Sequence, residues 1–372
     1  MRILLAPDKF KGTLNAPAVV EALASRLEKS AERPTLLRCP LADGGEGTLD
    51  AVLPASGPHP THRTLDARLR PTVAPYGILP SEPTRDILLE SAACLGLSHL
   101  PRPLRNPEQA TSFGLGSLLH HALRHHPRRA LLALGGVATV DGGVGFLQAL
   151  GARFLTAGGT LPSFAGGATL GQIVSADLEP VHALLKRTRL EAWCDVLSPL
   201  SGEKGAARMF APQKGASPEA VARLDQGLLS FVQVLEQETR QPLRDLPGAG
   251  AAGGLGLAIA ALGGDLRSGA AAVAEAVGLE EKMRSCDLVL TGEGRLDAST
   301  RQGKAPWGVL EMARRLGKPC VAVAGCATDT SGGWSGVISL FPGRVEMDDP
   351  RLRDLGPAWD EAVAKLAPFL RP

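Results

Sequence analysis

The 372-residue chain is 44% hydrophobic and 21% charged, the balance of an ordinary globular protein, and is long enough for two cores rather than one. Its 40 basic and 38 acidic residues leave a net charge of +2 with no long basic run, which argues against an electrostatic nucleic-acid binder. Six cysteines without CxxC spacing (Cys39, Cys94, Cys194, Cys286, Cys320, Cys326) match no zinc or redox template and point to a reducing, cytoplasmic setting.

The first predicted element is a strand over Arg2 to Ala6. No apolar segment with a cleavage site follows Met1, so no signal peptide is expected. The strand empties into Asp8-Lys9-Phe10-Lys11-Gly12. A helix follows, with Asn15 as N-cap, Pro17 in its first turn, and Val19, Val20, Leu23 and Leu27 on one face. A second strand, Thr35 to Cys39, leads into Asp43-Gly44-Gly45-Glu46-Gly47 and a helix from Thr48. From Ala55 to Pro83 proline becomes frequent and helical periodicity disappears, which places a domain boundary near residue 60. Beyond it we expect a strand from Arg85 to Ser91, a helix carrying Leu115, Leu118, Leu119, Ala122 and Leu123, and a strand from Ala130 to Leu134. That strand runs into the glycine-rich segment from Gly135 to Gly145, which includes Asp141-Gly142-Gly143. His121 and His125 lie four apart near the end of the preceding helix, but have no acidic partner among them and complement its dipole.

Trp193-Cys194-Asp195-Val196 closes an apolar segment on a carboxylate, and Pro212-Gln213-Lys214-Gly215 is a polar turn before a helix starting near Ser217. Gly248 to Gly264 is uncharged for seventeen residues, seven of them glycine, which fits a loop feeding a short buried helix better than a membrane span. Gly248 to Gly253 has the form GxGxxG, yet Pro247 and a polar segment stand where a dinucleotide site requires a strand. Leu288-Val289-Leu290 then reads as a strand buried on both faces. It opens into Thr291-Gly292-Glu293-Gly294-Arg295-Leu296-Asp297, and a helix with Val309, Leu310, Met312, Ala313 and Leu316 follows Lys304. Strands at Pro319 to Ala324 and Gly336 to Phe341 and a helix from Trp359 to Leu370 complete the chain. Both ends therefore read as strand-helix units. The expected fold is α/β, with a Rossmann-like parallel domain formed by residues 1–60 and 286–372, and residues 61–285 inserted as a mixed α/β domain.

The chemistry-bearing residues are acids at predicted strand ends (Asp8, Asp43, Glu46, Asp141, Asp195, Glu293, Asp297), with Lys9, Lys11, Lys214, Arg295 and Lys304 nearby. No Walker A motif, GxSxG elbow or HExxH is present. Phosphoryl transfer needs such a mixture: carboxylates for Mg²⁺ and for the attacking hydroxyl's proton, cations and backbone N–H groups for phosphoryl oxygens.

Eight segments in order, APDKFKGTLNA, PLADGGEGTLDA, RNPEQATSFGLG, GGVATVDGGVGFLQALG, CDVLSPLSG, APQKGA, GAGAAGGLG and LTGEGRLDAST with GKAP, together resemble the bacterial type I glycerate kinases from Ile3 to about Gly325. The resemblance implies a two-domain α/β enzyme that transfers the γ-phosphoryl of ATP to D-glycerate with Mg²⁺, giving 2-phosphoglycerate from a site in the cleft between its domains. On this footing Asp195 is expected to accept the hydroxyl proton, with Arg295 and Lys11 on the substrate carboxylate or γ-phosphate. Asp43 and Asp297 are expected to hold Mg²⁺. Asp8, Lys9, Gly44, Gly45, Glu46, Asp141, Gly142, Gly143, Lys214, Gly253, Gly254, Glu293, Thr300 and Lys304 are expected to bind substrate or phosphate, partly through backbone N–H groups. The chain departs from the family where Ser-Ala-Thr-Asn-Asp becomes Val137-Ala138-Thr139-Val140-Asp141, where Asp-x-Gln-Thr becomes Asp297-Ala298-Ser299-Thr300, and where Asp-Val-x-Asn-Pro-Leu becomes Asp195-Val196-Leu197-Ser198-Pro199-Leu200. Two other readings share parts of this pattern: an NAD-dependent hydroxy-acid dehydrogenase, and a non-catalytic sugar-acid binding protein that would tolerate the lost amides. No nucleic-acid or membrane partner is expected.

Overall fold

The computed structural model of the chain describes residues 1–53, 58–81, 84–194, 198–343, 345 and 349–370. They form an α/β protein that divides into two compact units: Met1–Asp43 with Asp50–Pro54 and Ala270–Pro372, and Gly44–Leu49 with Ala55–Gly269.

The first unit is built on five strands: Arg2–Pro7, Thr35–Arg38, Leu288–Gly292, Cys320–Ala324 and Gly336–Ser339. In chain order they stand second, first, third, fourth, fifth, and every pairing is parallel. Leu288–Gly292 and Cys320–Ala324 are buried at every position, as their unbroken apolar runs require. The helix Ala16–Leu27 starts where Asn15 accepts the Ala18 N–H at 2.9 Å, with a proline in its first turn. Its buried Val19, Val20, Leu23 and Leu27 share one core with Ile3, Leu5, Leu288, Leu290, Val321 and Val323. Near the C-terminus the helix Gly356–Ala364 contributes fully buried Trp359, whose ring lies 5.5 Å from that of Phe10. The loop after the first strand is thereby anchored to the core. The predicted terminal helix is shorter than its periodicity suggested, ending at Ala364 before a single 3₁₀ turn at Ala367–Phe369.

In the second unit a five-stranded sheet runs Asp265–Ser268, Arg189–Cys194, Arg129–Leu134, Thr84–Glu90, Gly77–Ser81. The first four are parallel and Gly77–Ser81 is antiparallel at the edge. A hairpin of Thr61–Leu65 and Pro71–Pro75 and a small antiparallel sheet of Ile173–Asp177, Arg153–Thr156 and Gly159–Thr160 accompany it. The proline-rich stretch after residue 60 is thus strand rather than irregular chain. Pro71 and Pro75 stand at strand ends and Pro80 on an edge strand, where the missing N–H costs nothing. The 22-residue helix Pro218–Thr239 is capped by Ser217 and buries Leu224, Leu228, Phe231 and Leu235 in the core.

Candidate active site

In an open parallel sheet ligands bind beyond the carboxyl ends of the strands, where the strand order reverses. In the first unit that place lies between Arg2–Pro7 and Leu288–Gly292, whose last residues Pro7 and Gly292 are register partners. The residues that follow, Asp8 and Glu293, are both buried acids. Asp8 donates its N–H to Gly292 O at 2.8 Å, and its carboxylate accepts the Lys9 N–H at 2.7 Å. Lys9 Nζ reaches Asp43 Oδ1 at 3.0 Å. Burial pushes the Asp8 carboxyl up to about 7; the Lys9 charge opposes this, while Asp43 and Glu293 add to it. Lys11 is exposed on the same loop.

The turn after Glu293 is tied internally. Glu293 accepts the Thr300 hydroxyl at 2.6 Å and the Lys304 ammonium at 3.1 Å. Burial raises its carboxyl above the ordinary range, and both partners oppose the shift. Asp297 caps the 3₁₀ turn Ala298–Gln302, accepting the Ser299 N–H at 2.9 Å and the Ser299 hydroxyl at 2.5 Å, while Arg295 Nε lies 3.2 Å from its other oxygen. The Ser299 hydroxyl holds the Asp297 carboxyl below its usual range. Ser299 therefore serves Asp297 directly at a position where the sequence suggested only a lost amide.

The second unit gathers another group of expected residues. Leu134 and Cys194 are register partners, as are Cys194 and Ser268, so the chain leaves all three strands at one edge. Gly44 is seated there, where a Cβ would lie 2.7 Å from Gly269 Cα and 3.0 Å from Trp193 O. The Leu49 N–H donates to buried Glu90 at 2.5 Å, a support that no sequence pattern announced. Glu46 is exposed. Asp195 lies outside the described residues. The GxGxxG segment is preceded by turns rather than a strand, so the support a dinucleotide site needs is missing among the described residues.

Asp141 is fully buried and its carboxylate is saturated by the Ser112 N–H and hydroxyl, both at 2.7 Å, and by the N–H groups of Gly143 and Gly145. Burial pushes its carboxyl up and these donors oppose the shift. Lys214, 4% exposed, donates to Thr139 O at 2.8 Å; burial pushes its ammonium down to about 8, opposed by the Asp141 charge. The structure thus places both as supports inside the 139–145 loop, with Gly253 O accepting the Gly142 N–H at 3.0 Å beneath it. Ser112, which the sequence did not single out, also accepts the Phe146 N–H at 2.8 Å. Replacing Ser112 with alanine is expected to cost about 2–3 kcal/mol, because it strips a buried carboxylate of a donor and orphans a buried N–H. An unchanged urea midpoint at constant m-value would remove Ser112 from this role.

Near the surface of this unit His62 and His121 stack with ring centroids 3.6 Å apart, and Tyr76 Oη lies 2.9 Å from His125 Nε2. Burial lowers both stacked imidazoles, and neighbouring cationic groups add to the effect.

The sequence signature of the glycerate kinase family matches residues 3–349 of the chain. The chain is 39% identical over 334 residues to "Glycerate 2-kinase" of Escherichia coli K12, covering 89% of this chain and 87% of that protein. It is 37% identical over 356 residues to "Glycerate kinase" of Bacillus subtilis 168, covering 94% and 92%. Its structure is similar to the crystal structure of a Salmonella typhimurium LT2 protein described as glycerate kinase 2, with a TM-score of 0.85 and 35% identity, covering 100% of this chain and 97% of that one.

Proposed function

The chain belongs to the glycerate kinase family, and from that membership we propose that it transfers the γ-phosphoryl group of ATP to the C2 hydroxyl of D-glycerate, giving 2-phosphoglycerate and ADP. The observation that carries the reading is the near full-length match to the family, with the chain's buried acids and cations standing at the strand-order reversal of a parallel sheet. We describe the first unit as Rossmann-like, since its strand order is that of doubly wound nucleotide-binding folds. We also take residues 61–285 as an inserted domain, a division that a second compact unit of Gly44–Leu49 and Ala55–Gly269 supports.

Mg²⁺ fits the first unit's donor set. Burial raises the Asp8 carboxyl and the Asp43 and Glu293 charges add to it against Lys9, so a bound cation would favour keeping these carboxylates ionised. Among the described residues no three acidic, histidine or cysteine side chains converge as a closed cage. Mg²⁺ needs none, because it commonly takes one or two carboxylates with phosphate oxygens and water completing its shell. Asp43 and Asp297 would hold it. When bound it would neutralise charge on the phosphate oxygens. Arg295 and Lys11 are exposed and would meet a carboxylate or phosphate, and Lys304 keeps donors beyond its bond to Glu293. Asp195, next in sequence after the strand Arg189–Cys194, is our choice for the group that accepts the C2 hydroxyl proton. Lys214 and Asp141 would maintain the 139–145 loop, in which the N–H groups of Gly142, Gly143 and Gly145 are taken by Gly253 O and the Asp141 carboxylate.

We place the reaction in the cytoplasm, which a set of six cysteines without CxxC spacing supports. No helix among the described residues is long and apolar enough to cross a membrane. The reading is tested by ³¹P NMR of the protein with ATP, Mg²⁺ and D-glycerate, with L-glycerate and tartronate as controls. A 2-phosphoglycerate resonance growing with D-glycerate alone is expected. A 3-phosphoglycerate signal would overturn the choice of hydroxyl, and no phosphorylated product would overturn the acceptor.

A further inference from the structure

The strand Leu288–Gly292 delivers Glu293 into a turn where both of its carboxylate oxygens are occupied by different elements. Oε1 accepts the Thr300 hydroxyl at 2.6 Å and Oε2 accepts the Lys304 ammonium at 3.1 Å. An ionised carboxylate has no proton to give, so Thr300 must donate to it. That leaves the hydroxyl oxygen's lone pairs for the Asp297 N–H, which points to it at 3.1 Å. The direction of the chain of bonds is therefore fixed: Asp297 N–H to Thr300, Thr300 to Glu293, with Lys304 arriving on the far oxygen.

Exposure separates the members of this chain. Thr300 is 2% and Glu293 7% exposed, whereas the side chains of Asp297 and Lys304 are 26% and 29% exposed. The inner two have little surface to offer a substrate; the outer two have more. Asp297 is further held by Ser299 on one oxygen and Arg295 on the other, so its backbone and its carboxylate are both fixed.

We propose that Glu293 and Thr300 are positioning residues, not ligands: Glu293 fixes the backbone of Asp297 through Thr300 and the ammonium of Lys304 directly, so that one buried carboxylate sets the placement of an acid and a base that engage the phosphate chain of a magnesium nucleotide. This rests on the phosphoryl-transfer reading and goes beyond it by removing two of its candidate ligands. A rigid placement of this kind matters because small misplacements of phosphate-binding groups are costly in catalysis.

The test uses the full chain, with Mg·ADP as the calorimetric probe and steady-state kinetics for ATP and D-glycerate in parallel. Thr300→Val keeps the side chain's shape and removes the hydroxyl. It is expected to weaken Mg·ADP binding about tenfold and to raise KM for ATP by a similar factor, with KM for D-glycerate unchanged. Thr300→Ser restores the hydroxyl and should recover both. Glu293→Gln, which preserves size and one acceptor oxygen, serves if the valine variant does not fold; it is expected to weaken Mg·ADP several-fold by releasing Lys304. Wild-type affinity for Mg·ADP in Thr300→Val or Glu293→Gln would overturn the proposal. So would a folded Thr300→Ser that fails to recover, because the methyl group rather than the hydroxyl would then be what matters. Wild-type turnover of D-glycerate is scored separately: its absence counts against the kinase reading, while the calorimetric ratios judge the positioning role.

Discussion

Asp8→Asn is expected to make the protein more stable on the alkaline side of neutrality and, at the same time, to remove most of its turnover. The Asp8 carboxyl is 5% exposed and pushed up to about 7 from an ordinary value of 3.8, chiefly by burial. A carboxyl whose folded value lies above its unfolded one binds more protons in the native state. Its contribution to stability is then fully present below about 4 and is lost as pH rises through about 7. A gap of that size corresponds to roughly 4 kcal/mol at most, since one unit is about 1.4 kcal/mol. Asparagine fills the same space without titrating, so the variant should be flatter across that window and more stable above it. The measurement is the urea midpoint of both proteins across the window, with a chelator present to exclude divalent cations. Parallel curves would show that burial does not dominate at Asp8. Turnover should fall about a hundredfold or more, because the variant loses a negative charge where a cation and a phosphate chain are expected to be organised. A stabilising substitution that disables the enzyme is the usual mark of a group kept for function.

How much of this was legible depends on how far apart the interacting residues lie in the chain. Leu288-Val289-Leu290 announced itself as a buried strand, and Pro319 to Ala324 as a strand, because a parallel sheet covered on both faces leaves an unbroken apolar run. Asn15 was readable as a cap because a cap is a local event. The hairpin Thr61–Leu65 with Pro71–Pro75 was missed, since prolines at strand ends look like broken periodicity until the edge position is known. At the candidate site, the crowding of acids and cations between glycines was visible, but the partners were not. Lys214 looked like a phosphate-binding cation; its buried ammonium gives one of its donors to a carbonyl 75 positions away, a partner no local pattern announces. Asp141 looked like a ligand, yet it is saturated by Ser112, 29 positions upstream, and by its own loop. Glu293, Thr300 and Lys304 lie close together in the sequence, while the order of bonds among them depends on a turn geometry that residue types alone do not specify. Composition can thus point to a charged site without saying which charges face inward.

The segment from Gly248 to Gly254 carries the other large expectation, because neighbouring left-handed residues there should respond very differently. Ala252, Gly253 and Gly254 all have left-handed backbones, with φ of 52°, 73° and 98°. At Gly253 the conformation is only part of the constraint. A Cβ would lie 2.1 Å from Thr139 O and 2.9 Å from Val140 Cα, which are backbone atoms that cannot turn aside as a side chain could. Thr139 O is itself held by Lys214, and Gly253 O accepts the Gly142 N–H, so moving either strand of this contact breaks a buried bond. Gly253→Ala is expected to cost about 4 kcal/mol or more, from the left-handed penalty together with a clash that no rotamer relieves. Ala252→Gly removes the same left-handed penalty without creating a contact. Its gain of about 1 kcal/mol is offset by the greater freedom of glycine in the unfolded chain, so the net change should be within about 1 kcal/mol of zero. Urea midpoints of the two variants decide the matter. If Gly253→Ala proves as mild as Ala252→Gly, the 139–145 loop is not pinned by the turn beneath it. The buried Lys214 would then be left as the main restraint on that loop, and substituting it should become the more damaging change.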